Sequence, residues 1–313
     1  MSDASILINI VLYNPDPKKI LELIRICSDY RFSKILLFDN TPVTQSLDIL
    51  LSEKIILFKS TENVGIAGAH YHACKIAENE NFDFIIFLDQ DTQLPVNFIS
   101  NMLLGFYRLQ KLYPHLCAIG PEWRDPRFYA WKQKEKLRNS LKNKLQARLK
   151  KIVKWRKEKI QKLLMVDHVI ISSGMLIWVP TLRKIGYPKK EYFIDLVDIE
   201  WCLRALSKNF QIEILHAVQM KHTIGEFKAS KNSMLQYRNP MRYYYSIRNS
   251  FFLFREKKFP FSFRLLILII NLMEIKKIPF VPESKKSLLA AFKGIKDGIF
   301  IKKNLAINLI ENL

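Results

Sequence analysis

Two carboxylates one residue apart, Asp89 and Asp91 in the triplet Asp89-Gln90-Asp91, follow directly on the apolar run FDFIIFL at 82–88. Carboxylates leaving the end of a buried strand can face one cation together. A hard ion such as Mg2+ or Mn2+ takes oxygen ligands and leaves the rest of its shell to phosphates and water. Such triplets are also common in solvated turns, so their position after a strand matters. A second acidic group, Asp195, Asp198 and Glu200, lies in DLVDIEWCLR. Asp198 can serve as a general base where it reaches a hydroxyl. The alternative is a helix opening with acids that its dipole favours, with Glu200 and Arg204 at ion-pair spacing. His222 in KHTIGE offers an imidazole to a metal or a diphosphate, or is simply structural. The small residues Gly65, Ala67 and Gly68 after Asn63 let a backbone approach a phosphate or a helix pack closely on a sheet. In YYYSIRN, Arg248 carries a guanidinium suited to a diphosphate, and the tyrosines read as core.

The elements that must position these groups alternate along the chain. Apolar runs at 6–13, 34–38, 55–59 and 82–88 read as strands; 18–30 and 65–77 read as helices. Short apolar strands separated by helices predict a mostly parallel sheet covered on both faces. Ligands in such sheets bind beyond the carboxyl ends of the strands. The polar residues just past those ends are Asn14, Asp39, Asn63 and Asp89 to Asp91. Farther on, 166–179 and 212–218 have strand character and 191–208 is helical. The text from Pro260 mixes apolar residues with Lys and Arg in a helical pattern.

Across 313 residues, 50 Lys and Arg against 29 Asp and Glu give a formal charge of +21. Between 131 and 162 alone, fourteen basic residues stand against Glu135 and Glu158, so more than half of the excess lies in one amphipathic stretch. Such a segment seeks a polyanion, either nucleic acid or an anionic lipid surface. No nucleic-acid-binding motif accompanies the charge, so no nucleic-acid partner is expected. The four cysteines are widely spaced and read as buried thiols. The opening MSDASILINIVLY reads as a first strand, not a signal peptide. The apolar run 265–273 is about half of the ~20 residues a spanning helix needs, so no crossing of a bilayer is expected.

In their order, VLYNPD, LFDNT, ENVGIAGA, FLDQDT, ISSGMLI, YFIDLVDIEWCLRA, KHTIGE and YYYSIRN resemble the inverting family-two glycosyltransferases of GT-A fold, and within them the rhamnosyltransferase type. The likeness covers roughly residues 5–250. It implies an α/β domain at 1–255 with a basic helical insertion at about 127–163. An amphipathic, membrane-associating region at 256–313 would follow. By resemblance, Tyr13, Asn14, Asp39, Asn63, Gly65 and Asp89 would bind the nucleotide, and Asp91, Asp89 and His222 would serve Mg2+ or Mn2+. Asp198 would be the catalytic base, and Ser173, Gly174, Glu200 and Trp201 would face donor or acceptor sugar. Arg248 would reach the diphosphate. The implied partners are a nucleotide-diphosphate sugar, best dTDP-rhamnose, a lipid-linked saccharide acceptor and an anionic membrane surface. The implied location is peripheral, on the cytoplasmic face of the inner membrane, in bacterial surface-polysaccharide assembly. His70 and Tyr71 depart from the Arg or Gln and Asn of many relatives. A nucleotidyltransferase is the rival enzyme class, though YNPDP occupies the place of its usual glycine-rich basic loop.

Overall fold

The computed structural model describes residues 3–42, 53–124, 169–221, 226–229 and 234–301. The basic segment 131–162 and His222 lie outside the described residues.

Strand β1 (Ile6–Leu12) is buried along its whole length, as expected of β-branched residues with a layer on each side. It ends at Asn14, whose φ of 46° turns the chain. Asp16 then caps helix α1 (Pro17–Ser28), its carboxylate accepting from the Lys18 amide at 3.1 Å. Proline at the first helical position supplies a preset φ and lacks only an N–H that would be orphaned anyway. There follow β2 (Ser33–Asp39), β3 (Ile55–Lys59), α2 (Gly65–Asn79), β4 (Phe84–Asp89), α3 (Phe98–Leu112), β5 (Leu116–Arg124) and β6 (Leu176–Trp178). Next come the short α4 (Leu182–Ile185), then α5 (Val197–Leu206) and β7 (Gln211–Lys221).

The strands form one seven-stranded sheet in the order β3-β2-β1-β4-β6-β5-β7. Pairing is parallel except at β6, which runs antiparallel to both β4 and β5. Alternation along the strands separates two cores. Ile6, Ile8 and Ile10 of β1 and Ile86 and Leu88 of β4 pack with α1 and α3. Leu7, Leu36, Ile85 and Phe87 pack on the other face with Ala73 and Cys74 of α2 and Trp201 and Cys202 of α5. All four cysteines are free and buried. The strand expected over 166–179 shrinks to the three residues of β6 where it is described. Before it the chain makes a turn in which the Gly174 amide donates to Phe87 O at 2.8 Å and the Met175 amide to Ser172 O at 3.0 Å.

A two-stranded antiparallel hairpin, β8 (Glu226–Ala229) and β9 (Met234–Tyr237), leads into α6 (Pro240–Phe254). Helix α7 (Phe261–Met273), a 3-10 segment (Glu274–Phe280) and α8 (Ser284–Phe300) close the described chain. Among the described residues no helix is long and apolar enough to cross a membrane.

Candidate active site

The carboxyl ends of β1 and β4 and the start of α2 surround a shallow cavity of about 280 Å³ lined by Val11, Tyr13, Asn40, Asn63, Gly65, Asp89, Gln90 and Asp91, among others. Tyr13 is half exposed there, with its backbone gripped from both sides: Gln90 Oε1 accepts from the Tyr13 amide at 2.8 Å and Gln90 Nε2 donates to the Tyr13 carbonyl at 3.0 Å. The middle residue of the acidic triplet thus ties the end of β1 to the end of β4. Asn40 receives the Val64 amide and donates to the Gly65 carbonyl, and Asn63 receives the Gly65 amide at 2.9 Å. Gly65 has φ +68°, and a Cβ there would meet Phe193 O at 2.4 Å, so the entry to α2 admits no side chain.

A deeper cavity of about 430 Å³ adjoins this one, sharing Ile66, Asp89, Asp91 and Ile194. Its walls hold Asp89 and Asp91 from the end of β4, Ser172 and Ser173, Asp195 and Asp198, and Arg238 and Arg242. Ser246 of α6 and Asn271 of α7 also line it. Asp198 lies in the first turn of α5, where Oδ1 accepts from the Ile199 amide at 2.8 Å and Oδ2 from the Ser172 amide at 3.2 Å. Burial lifts its carboxyl from 3.8 to about 6; the two amides oppose that rise and the nearby Asp195 adds to it. A carboxylate oriented by two amides, with a pKa near the working pH, suits proton abstraction from a hydroxyl.

The turn that delivers Asp195 and Asp198 is strained. Phe193, Asp195 and Leu196 have φ of 60°, 62° and 61°. Such conformations cost of order 1–3 kcal/mol each unless the surroundings enforce them. Here α6 does so. Asn249 Nδ2 donates to the carbonyls of Tyr192, Ile194 and Asp195 at 2.8 to 2.9 Å, and Arg248 donates to Glu191 O at 2.6 Å. Arg242 forms an ion pair with Asp195. Its burial disfavours the charge, but Asp195, Asp89 and Asp198 together hold it above its ordinary range.

Several residues named from the sequence stand elsewhere. Arg248 is buried and spent on the 191–192 carbonyls and Asn249, so it supports the turn and does not line the cavity. Glu200 is fully buried, paired with Arg204 at 2.8 Å and Lys189 at 3.1 Å. Its neighbour Trp201 packs in the core and donates to Gly186 O at 3.0 Å. Helical periodicity turns both away from Asp198. Asp39 is buried and accepts from the Thr41 amide at 2.9 Å, shaping the turn after β2 without lining either cavity. Asn14 is likewise outside them, its amide donating to Thr41 Oγ1. Gly174, at φ +84°, sits where a Cβ would strike Pro121 at 2.7 Å; its role is the tight turn that presents Ser173. Ser173 lines the deep cavity and meets Thr92 Oγ1 and the Asp89 amide. His70 of α2 stacks on Phe87 of β4 at 3.9 Å, and burial pushes its pKa down to about 3, so a neutral ring is packed between helix and sheet and lines neither cavity. Gln90, Arg238, Arg242 and Asn271 were not singled out in the sequence. Arg242 alone left a signal, an arginine six residues before Arg248, on the helix of YYYSIRN.

For a divalent cation, Asp89 and Asp91 supply hard oxygen donors on one cavity wall. Among the described residues no three His, Cys, Asp or Glu side chains cluster closely enough to hold a metal by themselves. That donor set fits an ion whose shell is completed by substrate phosphates and water.

The family model described as glycosyl transferase family 2 matches residues 8–177. The dTDP-rhamnosyl transferase RfbF of Shigella flexneri is 27% identical over 295 residues, spanning 92% of this chain and 94% of that protein. Among solved structures, S. aureus TarS 1-349 in complex with UDP-GlcNAc matches with a TM-score of 0.54 at 14% identity, over 94% of this chain and 81% of that one. A second structure of S. aureus TarS 1-349 gives 0.51 at 13% identity with the same coverage. At these identities the structural likeness speaks for the fold alone.

Proposed function

This chain belongs to glycosyl transferase family 2, and from that premise we propose that it moves one sugar from a nucleoside-diphosphate donor to an acceptor hydroxyl with inversion at the anomeric carbon, using Asp198 as general base. The observation that carries this reading is that Asp89, Asp91 and Asp198 line one cavity of about 430 Å³, a volume within the usual range for a small ligand. The adjoining shallow cavity, with Tyr13, Asn40 and Asn63, takes the nucleoside. Rhamnose carried on dTDP is the favoured donor, supported by the dTDP-rhamnosyl transferase that this chain resembles over most of both lengths.

The chemistry divides among the chain's own groups. The acceptor hydroxyl attacks the anomeric carbon while its proton passes to the Asp198 carboxylate, whose amide partners keep the open lone pairs aimed at the cavity. The bond to the diphosphate oxygen breaks as the new glycosidic bond forms, so one displacement inverts the centre and no covalent enzyme intermediate is needed. Asp91, with Asp89, would hold Mg2+ or Mn2+, which neutralises charge on the departing phosphate oxygens when bound. His222, outside the described residues, is a further candidate there. Arg242 adds a fixed positive charge, while its pairing with Asp195 holds both side chains in place. The acceptor is a saccharide on a lipid carrier, supported by the excess of 21 positive charges, which suits a peripheral protein on an anionic cytoplasmic membrane face. On this reading the reaction serves surface-polysaccharide assembly.

Calorimetry with a panel of nucleotide sugars, with Mn2+ and with chelator, tests the donor and the metal together. dTDP-rhamnose should bind tightest and only with the ion, and Asp91→Ala should weaken that metal-dependent binding. Tighter binding of a UDP-hexose or UDP-N-acetylhexosamine would replace the donor, and equal binding under chelator would remove the metal role of Asp89 and Asp91.

A further inference from the structure

More than half of the large apolar side chains exposed in the described residues fall between Phe261 and Phe300. Helix α8 shows why they are outside. Its face toward α6 is Ser287, Ala290, Ala291, Gly294, Asp297 and Gly298, so small that a Cβ on Gly294 would meet Tyr244 O at 2.6 Å. Asp297 accepts from the Tyr244 hydroxyl at 2.8 Å and fixes the packing. The large residues point the other way: Leu289 is 71% exposed, Phe292 59% and Phe300 76%. A helix resting on a core and facing water has the reverse distribution.

The outward stripe is also charged in one sense. Lys285, Leu289, Phe292, Lys296 and Phe300 recur at intervals of three and four residues, which places them on one side of the helix. The acid of this helix, Asp297, is on the inner face. Lys mixed with Phe and Leu on one face is the composition of a helix that lies in a lipid interface. At 17 residues, α8 is too short and too charged to span the hydrocarbon. Helix α7 also exposes large apolar side chains, Ile269, Ile270 and Met273, while Asn271 reaches the deep cavity.

We infer that the outer face of α8 docks on an anionic phospholipid bilayer, with Lys285 and Lys296 among the headgroups and Leu289, Phe292 and Phe300 in the acyl boundary. A second copy of the chain is the competing occupant, but a two-fold contact would set the lysine-bearing stripe against itself, like charge on like charge. The geometry also serves catalysis. Helix α6 lines the deep cavity with Arg242 and Ser246 and carries α8 against Tyr244 and Phe251, so one helix thickness, ~10 Å, separates the docked face from the site. The inference rests on the lipid-linked acceptor reading for its purpose, though not for its evidence.

The full chain is sedimented with vesicles of phosphatidylcholine, alone or with phosphatidylglycerol added. Wild type should pellet with the anionic vesicles. Lys285→Glu with Lys296→Glu, or Leu289→Ser with Phe292→Ser, should cut the bound fraction's partition coefficient by roughly tenfold or more. Melting temperature and calorimetric donor binding should stay unchanged, because these side chains face outward. Variants that pellet like wild type overturn the inference, as does equal pelleting with neutral vesicles. Loss of a dimer in light scattering without loss of pelleting assigns the face to a second copy and overturns it too. Turnover on a vesicle-free soluble glycan reads the transferase separately: its absence in wild type strikes the proposed reaction and leaves the docking result standing.

Discussion

Replacing Asp198 by Asn tests base chemistry and burial in one variant. The wild-type carboxyl, at about 6 in the folded protein against 3.8 ordinarily, is more easily protonated when folded than when unfolded. The folded state therefore holds the extra proton between these two values, and stability falls as pH rises through that window. The full rise corresponds to about 3 kcal/mol of destabilisation at neutral pH, and the residue's intermediate exposure to solvent trims this to about 2 kcal/mol. Asn cannot ionise, so the pH-linked loss disappears. Against that, its NH2 must face one of the two amides that now donate to Asp198, from Ile199 and Ser172, at a cost of ~1–3 kcal/mol. The two effects nearly offset at pH 8, and at pH 4 only the cost remains. Denaturant melts from pH 4 to 8 should show the variant gaining about 2 kcal/mol on wild type over that range, mostly below pH 6. Turnover should vanish at every pH while donor binding survives. In wild type, kcat/KM should fall about tenfold per pH unit below pH 6. A variant that keeps near-normal turnover, or a stability difference independent of pH, would refute the assignment of Asp198.

Gln90→Ala removes both hydrogen bonds that hold the Tyr13 backbone, worth ~1–2 kcal/mol together; donor KM should rise several-fold with kcat nearly unchanged, read by steady-state kinetics. Arg248→Met strips donors from the buried carbonyls of Glu191 and Tyr192, at ~1–3 kcal/mol. It should lower the melting temperature by several degrees and reduce kcat, with donor Kd unchanged by calorimetry; a weakened Kd would return Arg248 to the diphosphate.

The sequence made one half of the sheet legible because β1, β2 and β4 are short apolar runs broken by strong stops: Asn14-Pro15 after β1, Asp39-Asn40 after β2, Asp89-Gln90 after β4. Strand β5 was missed, because LCAIGPEWR carries Gly, Pro and charged residues that break the apolar run. Asp89 and Asp91 were expected from their place at a strand end, and Asp198 and Ser173 through the resemblance; the four line one cavity. The sequence failed where side-chain direction decides. Glu200 and Trp201 stand two and three residues from Asp198, and the helix turns them into the core, where Arg204 and Lys189 neutralise the acid. Asp39 and Asn14 follow strands as site residues do, yet each is consumed by the turn around Thr41. Arg238, Arg242 and Asn271 arrive from helices far along the chain, and no local pattern announces a contact of that range.

The strained turn shows why those distant helices belong to the site. A chain forced to left-handed φ at Phe193, Asp195 and Leu196 has a strong tendency to relax, which would carry Asp195 and the start of α5 away from the carboxylates on β4. Helix α2 contributes one restraint here, the bond of the Ala67 amide to Phe193 O at 2.9 Å. The decisive restraints come from α6: Asn249 and Arg248 collect four carbonyls of residues 191–195, and Arg242 grips Asp195 itself. Helix α6 is in turn held from behind by α8 through small residues and the Tyr244–Asp297 bond. The position of the proposed base is therefore set by the same helix stack whose outer face is proposed to meet lipid. Rigidity at Asp198 and attachment at Phe292 are two consequences of one packing arrangement, in which α8 turns its small residues inward.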